Sequence, residues 1–565
     1  MSNLYNSLFG RPGIFSLLAV ALLLTACTDD FSAMNTPESE LAASELGANN
    51  IGQMFAQSQW DGMFGGRSAF QTSQGTFGNL YSQIEAEQAG SFDTGQYAMN
   101  SGWLDGTWNT FYGSVAPQVQ FVREFTAEND MPVRNAVINV WRVYLYHRIT
   151  DYWGPIIYSD FGTDDPTVSY DSQESVYRDF FERLGEAASV LGNNFDGNAF
   201  GSNDLIYEGD ARKWYKFANT LQLRLAMRVK YAAPDLAKAE AEEAVDRGVM
   251  MDNSDNAMVL TTQDNRNPLQ TFHDWNEHRM SAAMESLLEG YEDPRLGIYW
   301  STVGADKSKH PVQVGDKDGD GSPYEGMRKG VPRTNKGDRI EAKYSARGTR
   351  WWRPSLGGTN PPLPVIRAAE AYFLRAEGAL EGWNMGGTAE ELYNEGIRMS
   401  LREDRFDASE EEIDAYIDRE SRPVSPADSA KHICCEFSKT PIYPDTPALT
   451  DIPVDFQQGA DKETRLEQII TQKWLALHND GWELWAEIRR TGYPRRYPII
   501  ESLSPILDED DLPQRVPFVQ SEYSNNTEPV NNAVDMLRGP DNPATELWWD
   551  QKSGADDNVT YPSPQ

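Results

Sequence analysis

Apolar side chains recur at steps of three and four residues along much of this chain. The pattern is clearest in four segments, Val133–Tyr144, Trp214–Leu225, Ile366–Leu380 and Leu466–Leu477. Because an α-helix turns once every 3.6 residues or so, this spacing places the apolar groups on one helical face. The chain is therefore predicted to be mainly α-helical.

Several of the predicted helices are paired across short breaks rich in Gly, Asp and Asn. Two such pairs are predicted over Leu363–Glu381 with Thr388–Arg402, and over Thr464–Asn479 with Trp482–Ile488. Helix pairs of this size stack as tetratricopeptide-like solenoids. No clean period of about 34 residues is present, so any repeats are degenerate.

Long stretches between the helical blocks lack periodicity. Residues 250–275, 300–362 and 420–460 are rich in Gly, Pro, Asp, Asn and Ser, and they also carry many aromatic residues. Loops this long are usually functional or disordered. Because disordered segments contain few aromatics, we expect ordered loops that pack on the helices.

The N-terminus predicts export and lipidation. An apolar run, Ile14–Leu24, is too short to span roughly 30 Å of hydrocarbon, and it fits the core of a signal peptide. The run leads into Thr25-Ala26-Cys27, which resembles a lipobox, whose cysteine is acylated. We expect a signal peptide over 1–26, a lipidated tether over 27–38 and one domain over 39–565. An ordinary signal peptide is the alternative.

The net charge limits the partners that we expect the protein to bind, and the positions of the cysteines limit the disulfides that we expect it to form. The formal net charge is −36 and the pI about 4.5. This surface would repel a phosphate backbone, so nucleic acid is not an expected partner. Apart from Cys27, the cysteines are the adjacent Cys434 and Cys435. Adjacent cysteines rarely bond to each other, so no disulfide framework is expected.

Seven segments together resemble a known family. They are Trp141–Pro155, Lys213–Arg228, Ala368–Glu377, Ile470–Leu477, Trp482–Pro494, Arg515–Tyr523 and Gly539–Asn542. In this order, and with the lipobox, they resemble the SusD/RagB family of nutrient-binding outer-membrane lipoproteins, in its SusD-like second subgroup. The resemblance runs from Cys27 to about Asp550. No single segment is decisive, and the resemblance depends on all of them occurring in this order.

This resemblance implies both a fold and a function. The implied fold is a tetratricopeptide-like scaffold of helix pairs with long irregular loops over one side. The implied function is to bind an oligosaccharide, or alternatively a peptide, at the cell surface and to deliver it to a SusC-like TonB-dependent transporter. It implies no catalysis and no required cofactor. Asp29 and Asp30 resemble the surface-export signal of Bacteroidetes lipoproteins.

Most aromatic and charged residues of these segments are predicted to belong to the scaffold. The tryptophans at helical core spacing are Trp141, Trp214, Trp474 and Trp485. Glu487 and Arg490 form an i, i+3 pair, which we expect on an exposed face and to contribute a few tenths of a kcal/mol. The ligand site is therefore expected in the loops.

Residues outside the helical pattern are the candidates for ligand binding, because flat rings stack on the apolar faces of sugars. The candidates are Tyr97, Asn100, Trp103, Trp275, Trp351 and Trp352. By the resemblance, the first three match the loop before the first repeat helix, and the others fall in the mid-chain insertion. For each single ring, burial in loop packing is an equally good interpretation.

One acidic loop is a candidate calcium site. Asp316, Asp318 and Asp320 alternate and are followed by Gly321, as in loops whose carboxylates converge on Ca²⁺. An EF-hand would have Glu at the twelfth position, where this chain has Met327. A structural Ca²⁺ and a solvated acidic loop are therefore the two alternatives.

Two other classes of function are compatible with the sequence. A surface glycan hydrolase needs only two carboxylates roughly 5–10 Å apart, and 86 acidic residues neither exclude nor support this. A tetratricopeptide-like scaffold that binds only proteins is the second alternative. Neither a zinc-binding His-Glu-x-x-His motif, nor a nucleophile elbow, nor a phosphate-binding glycine loop is present.

Overall fold

The computed structural model describes residues 50–89, 92–163, 165, 167–303, 322–332, 344–348, 361–406, 408–426, 446–555 and 558–560. The chain divides into two units at Gln53 and Met54. The first unit lies almost wholly outside the described residues. The second unit contains nearly all of the described helices and strands.

Helices dominate this unit. They are α1 (Ile51–Gly62), α2 (Arg67–Phe70), α3 (Asn79–Tyr81), α4 (Ser101–Thr110), α5 (Ala116–Glu128), α6 (Pro132–Trp153), α7 (Gln173–Gly192), α8 (Ala211–Arg228), α9 (Pro234–Arg247), α10 (Pro268–Trp275), α11 (Ala282–Gly290), α12 (Leu296–Tyr299), α13 (Ala368–Leu380), α14 (Ala389–Leu401), α15 (Glu410–Ile417), α16 (Lys462–Ala476), α17 (Gly481–Thr491), α18 (Gln520–Asn525) and α19 (Thr527–Asp535). Two π-helical segments, Gln71–Gly78 and Phe111–Val115, continue α2 and α4.

Four short strands complete the regular structure. They are β1 (Glu85–Glu87), β2 (Ala257–Val259), β3 (His278–Met280) and β4 (Leu363–Ile366). They form two antiparallel pairs, β1 with β3 and β2 with β4. Each pair joins segments that are far apart in the chain, so the strands tie loops to the helical scaffold.

The long helices pack as sequential neighbours. Contacts run from α5 to α6, α7, α8 and α9 in turn, and α8 also contacts α13, which packs on both α14 and α16. This arrangement confirms the predicted mainly α, tetratricopeptide-like scaffold. In the described part of the chain, the helices are all too short or too polar to cross a membrane.

The predicted helix over Leu363–Glu381 is wrong at its start. Residues Leu363–Ile366 form β4, and α13 begins only at Ala368. The short apolar run contains two β-branched residues and pairs with β2, so strand pairing takes precedence over the helical spacing. The stretch 250–275 is likewise more regular than predicted, because it contains β2 and α10.

Local capping explains where several helices begin and end. Thr388 and Glu391 form a capping box at the start of α14, which satisfies backbone N–H groups that lack partners within the helix. Asp461 caps α16 in a similar way, accepting from the Thr464 N–H at 2.9 Å. Gly492 ends α17 with a φ of 79°, a conformation that glycine adopts without strain.

A network of buried charges joins α6, α8, α13, α16 and α17. Arg224 makes two hydrogen bonds to Glu370, at 2.7 and 2.5 Å. Arg490 makes two bonds to Glu377, at 2.6 and 2.7 Å. We call the whole set the charged core; its members are Asp151, Arg224, Arg228, Lys230, Glu370, Glu377, Lys473, Glu483, Glu487 and Arg490.

Glu487 and Arg490 are therefore paired as predicted, but they do not lie on an exposed face. Their oxygen and nitrogen atoms are 2.7 Å apart, and both side chains are almost wholly inaccessible to solvent. A buried charge is costly unless it is fully paired. Burial alone would raise the pKa of Glu377, but Arg490 and Lys230 lower it to about 2.

The C-terminal part of the chain from Arg515 to Asn542, which we call the clasp segment, holds on to the scaffold through several hydrogen bonds. Arg515 donates from Nη2 to the carbonyl of Trp153, at the end of α6, at 2.9 Å. It also pairs with Asp541, which accepts from the Tyr523 hydroxyl at 2.8 Å. These contacts hold the last part of the chain against α6. They also join two of the segments that carry the resemblance, because Arg515 and Tyr523 lie in one and Asp541 lies in the other.

Candidate functional site

Two of the candidate tryptophans lie on helices that contact the same element. Trp103 is on α4 and Trp275 is the last residue of α10, and both helices pack against α2. Trp275 is 40% exposed. Trp103 is half-buried, with its ring 5.2 Å from that of Phe92 in an edge-on arrangement. We call the region around Trp103 of α4 and Trp275 of α10 the α4–α10 surface.

Asn100 also belongs to this surface, whereas Tyr97 does not. The Asn100 side chain caps α4 by accepting the Trp103 N–H at 3.2 Å, and it remains exposed. Tyr97 is only 3% exposed, and its hydroxyl donates to the Asp511 carbonyl at 2.7 Å. Lys329 Nζ lies 4.7 Å from the centre of its ring. The ring is therefore part of the packing and offers no open face to a ligand.

Polar groups lie beside Trp275. Gln71 Nε2 donates to Glu277 Oε2 at 2.6 Å, and Gln88 Nε2 donates to the Asn276 carbonyl. Burial raises the pKa of Glu277, although His278 and the bond from Gln71 act in the opposite direction. The arrangement combines an apolar ring with carboxylate and amide groups, which is the chemistry needed to hold the face and the hydroxyls of a sugar.

Buried aromatic and charged side chains support α10 and the neighbouring strands β1 and β3. Phe272 of α10 is buried, and its ring meets those of Phe70 and His278 edge-on at 6.0 and 4.6 Å. His278 Nδ1 lies 2.9 Å from Glu85 Oε2, and Glu85 also pairs with Arg347. Burial would raise the pKa of Glu85, but Arg347 and His278 together lower it. The Glu85 carboxylate therefore stays charged, and its contact with His278 holds β1 and β3 together.

The helix that carries Trp103 is also fixed from its other side. Asp105 accepts from both the backbone N–H and the hydroxyl of Ser521, at 3.0 and 2.7 Å. Trp108 Nε1 donates to Glu522 Oε1 at 3.3 Å. These bonds hold α4 against the clasp segment, so Trp103 is presented on an ordered helix.

Other candidates lie outside the described residues. They are Cys27, Asp316, Asp318, Asp320, Trp351 and Trp352. The lipid anchor, the calcium loop and two of the three mid-chain aromatic candidates therefore stay predictions. Among the residues that the structure describes, no group of three or more His, Cys, Asp or Glu side chains could hold a metal ion.

Sequence reasoning missed three partly exposed residues of this surface, namely Gln71, Phe92 and Glu277, and also Gln88, which is buried at 2% exposure. Glu277 lies two positions after Trp275, so the sequence offered a weak signal of proximity. Gln71 and Gln88 are brought to it from far along the chain, by a π-helical segment and by the end of β1. Only the tertiary fold makes this grouping visible.

Comparison with known proteins identifies the family. A family described as "SusD-like: Susd and RagB outer membrane lipoprotein" matches residues 33–550. The match spans most of the chain, and the chain therefore belongs to this family of outer membrane lipoproteins. A search of curated protein sequences finds no match.

Solved structures agree with this assignment. A chitin-binding SusD homologue from Flavobacterium johnsoniae is 33% identical, with 89% of this chain and 98% of that chain covered and a TM-score of 0.76. A SusD-like protein from Bacteroides thetaiotaomicron is 29% identical, covering 89% and 99%, with a TM-score of 0.77. A SusD homologue from Bacteroides uniformis is 30% identical, covering 90% and 100%, with a TM-score of 0.75.

Proposed function

We propose that this protein binds an oligosaccharide at the α4–α10 surface, as the first step of glycan uptake. Membership in the SusD-like family and the chitin-binding relative support a glycan ligand. The observation that carries the proposal is the setting of Trp275. The residue is 40% exposed at the end of an ordered helix, two positions before Glu277, and this helix packs against α2, as does the helix of Trp103.

The expected binding mode follows from these side chains. The rings of Trp275 and Trp103 stack on the apolar faces of sugar units, while Asn100 and Glu277 hydrogen-bond the hydroxyl or acetamido groups. Trp351 and Trp352 are proposed to complete the same surface. Because the chain carries a net charge of −36, a neutral or cationic glycan is favoured over a polyanionic one.

We further propose that the protein is anchored through Cys27 at the cell surface and hands its ligand to a SusC-like TonB-dependent transporter. The family description as outer membrane lipoproteins supports the anchor. Cys27→Ala should release the protein from washed membranes in cells that lack the transporter. Sedimentation of this variant with those membranes would contradict the anchor.

A glycan array combined with product analysis tests the binding function. Chitin oligosaccharides are the first probe, because the relative at 33% identity binds chitin. We expect saturable binding without cleavage of the probe. Cleavage would instead support a hydrolase, and failure of all glycans with binding of a peptide would support a peptide transporter component.

A further inference from the structure

A small polar cavity lies where the charged core meets the turn between α16 and α17. Its volume is about 10 Å³. The residues that line it are Tyr144, His147, Arg148, Asp151, Arg224, Asp480, Trp482 and Glu483. All of them belong to the described part of the chain, and none belongs to the α4–α10 surface.

Four of these side chains are already engaged elsewhere. Arg224 is bonded to Glu370, and Glu483 is bonded to Arg228 at 2.6 Å. Asp151 accepts from the Tyr177 hydroxyl at 2.5 Å and from Trp549 Nε1 at 2.9 Å. The Tyr144 hydroxyl is directed to the Val365 carbonyl at 3.5 Å. These residues form walls of the cavity, and their hydrogen bonds to Glu370, Arg228, Tyr177, Trp549 and Val365 run to groups outside it.

The other four side chains have unused hydrogen-bonding capacity. Arg148 Nε, Trp482 Nε1 and His147 Nδ1 are buried and have no hydrogen-bond partner among the described residues. Each of these side chains is at most 4% exposed. Asp480 accepts only a long bond, 3.5 Å from the Glu483 N–H. Buried polar atoms are nearly always bonded to protein or to ordered water.

We propose that this cavity binds one structural water molecule, held by Arg148, Trp482, Asp480 and His147. The volume is close to the lower limit for a single water, about 10–15 Å³. Arg148 Nε–H and Trp482 Nε1–H donate to the water oxygen. The water donates in turn to the Asp480 carboxylate and to His147 Nδ1, which completes its four bonds.

The chemistry of the cavity distinguishes water from an ion. A metal cation would face two N–H donors, and an anion would face the Asp480 carboxylate. Burial lowers the pKa of His147, and Arg224 lowers it further, so the ring is neutral and Nδ1 can accept. Two donors with two acceptors are the complement of one water molecule.

This water bridges the scaffold to the segment that leads to the α4–α10 surface. Arg148 extends from α6 to Gln74 Oε1 at 3.4 Å, and Gln74 Nε2 donates to the Asn479 carbonyl at 2.5 Å. Asn479 and Asp480 form the turn before α17. The water therefore joins α6 to this turn and to α17, and Arg148 and Gln74 extend the network to the π-helical segment after α2.

A crystal structure at about 1.5 Å resolution tests the site. We expect one spherical peak at hydrogen-bond distance, roughly 2.6–3.2 Å, from Arg148 Nε, Trp482 Nε1 and an Asp480 oxygen. His147→Phe should fill the cavity, remove the peak and lower the melting temperature. Tyr144→Phe is the matched control, because it changes another wall residue and should retain the peak.

Three outcomes would overturn the proposal. The first is the absence of a peak in the unchanged protein. The second is an anomalous bromide signal at this position after soaking, which would make it an anion site. The third is a peak that persists unchanged in His147→Phe. If that variant does not fold, Trp482→Phe removes one donor and should lower the occupancy of the water; full occupancy would count equally against the site.

Discussion

The charged core and the α4–α10 surface use similar side chains in opposite ways. In the charged core, five cations and five carboxylates pair with each other across five helices, and their side chains are almost wholly inaccessible to solvent. At the α4–α10 surface, Trp275 keeps 40% of its area open, and Asn100 caps a helix while its side chain stays exposed.

This difference separates residues that stabilise the scaffold from those that we propose to contact the ligand. Several of the segments that carry the resemblance supply the charged core, whose cations and carboxylates compensate for each other's burial. Those of the proposed ligand groups that the structure describes lie on α4 and α10 and in the residues that flank these helices.

The largest expected effect comes from breaking the charged core. Arg490→Met removes the main partner of Glu377 and one partner of Glu487, leaving buried carboxylates undercompensated. We expect a loss of about 3–5 kcal/mol in the free energy of unfolding. Denaturant unfolding followed by circular dichroism measures this, and affinity per folded molecule should be retained.

Arg178→Met is the matched control for this change. Arg178 pairs with Glu174 at 2.7 Å on α7, but 54% of its side chain is exposed. An exposed pair of this kind contributes only about 0.3–0.5 kcal/mol. Equal losses in the two variants would show that the charged core has no special role.

Acid should destabilise the charged core. Burial would raise the pKa of Glu377 and Glu483, but the neighbouring cations lower both to about 2, below the ordinary value of 4.5. Because the folded-state pKa lies below the unfolded one, this stabilisation is present above pH 4.5 and is lost as the pH falls towards 2. Unfolding measured across this range should show a weaker pH dependence in Arg490→Met. Identical slopes would contradict the assignment.

The next effect tests the ligand surface. Trp275→Ala and Trp103→Ala should each cost about 1–3 kcal/mol of binding, which is a tenfold to hundredfold loss of affinity. Calorimetry with the glycan identified by the array measures this. Stability should change little for Trp275, because its ring is largely open to solvent. Wild-type affinity in both variants would place the ligand elsewhere.

Tyr97→Phe sharpens the same comparison. The change removes a hydroxyl that donates to the Asp511 carbonyl at 2.7 Å. We expect a loss of about 0.5–1.5 kcal/mol in stability and an unchanged affinity. If Tyr97→Phe lowers the free energy of binding by more than it lowers the free energy of unfolding, Tyr97 belongs to the ligand site.

Periodicity predicted the scaffold well because it reports which face of a helix is apolar. The apolar spacing located α6, α8 and α16, and it identified Trp474 as a core residue, which is 1% exposed. It could not show that Glu487 and Arg490 are buried. Glu377, the second partner of Arg490, lies on another helix far away in the sequence, and only the fold brings the charges together.

The same signal was less informative about exposure outside the long helices. Trp300 lies outside any helical pattern and yet is completely buried. Trp103 and Trp275 do lie on helices: α4 continues through a π-helical segment into α5, whereas α10 has only 8 residues. A break in periodicity therefore does not indicate an exposed ring, because loops of this length build cores of their own.

A pair of substitutions separates capping from binding at Asn100. Its side chain accepts the Trp103 N–H at 3.2 Å, so Asn100→Ala should lose about 0.5–2 kcal/mol of stability. Asn100→Ser keeps a capping oxygen but removes the amide that we propose to meet the sugar. We therefore expect the serine variant to unfold like the wild type and to bind about two- to tenfold more weakly, the equivalent of one lost hydrogen bond. If the serine variant binds normally while the alanine variant binds poorly, Asn100 acts only by holding α4 and Trp103 in place.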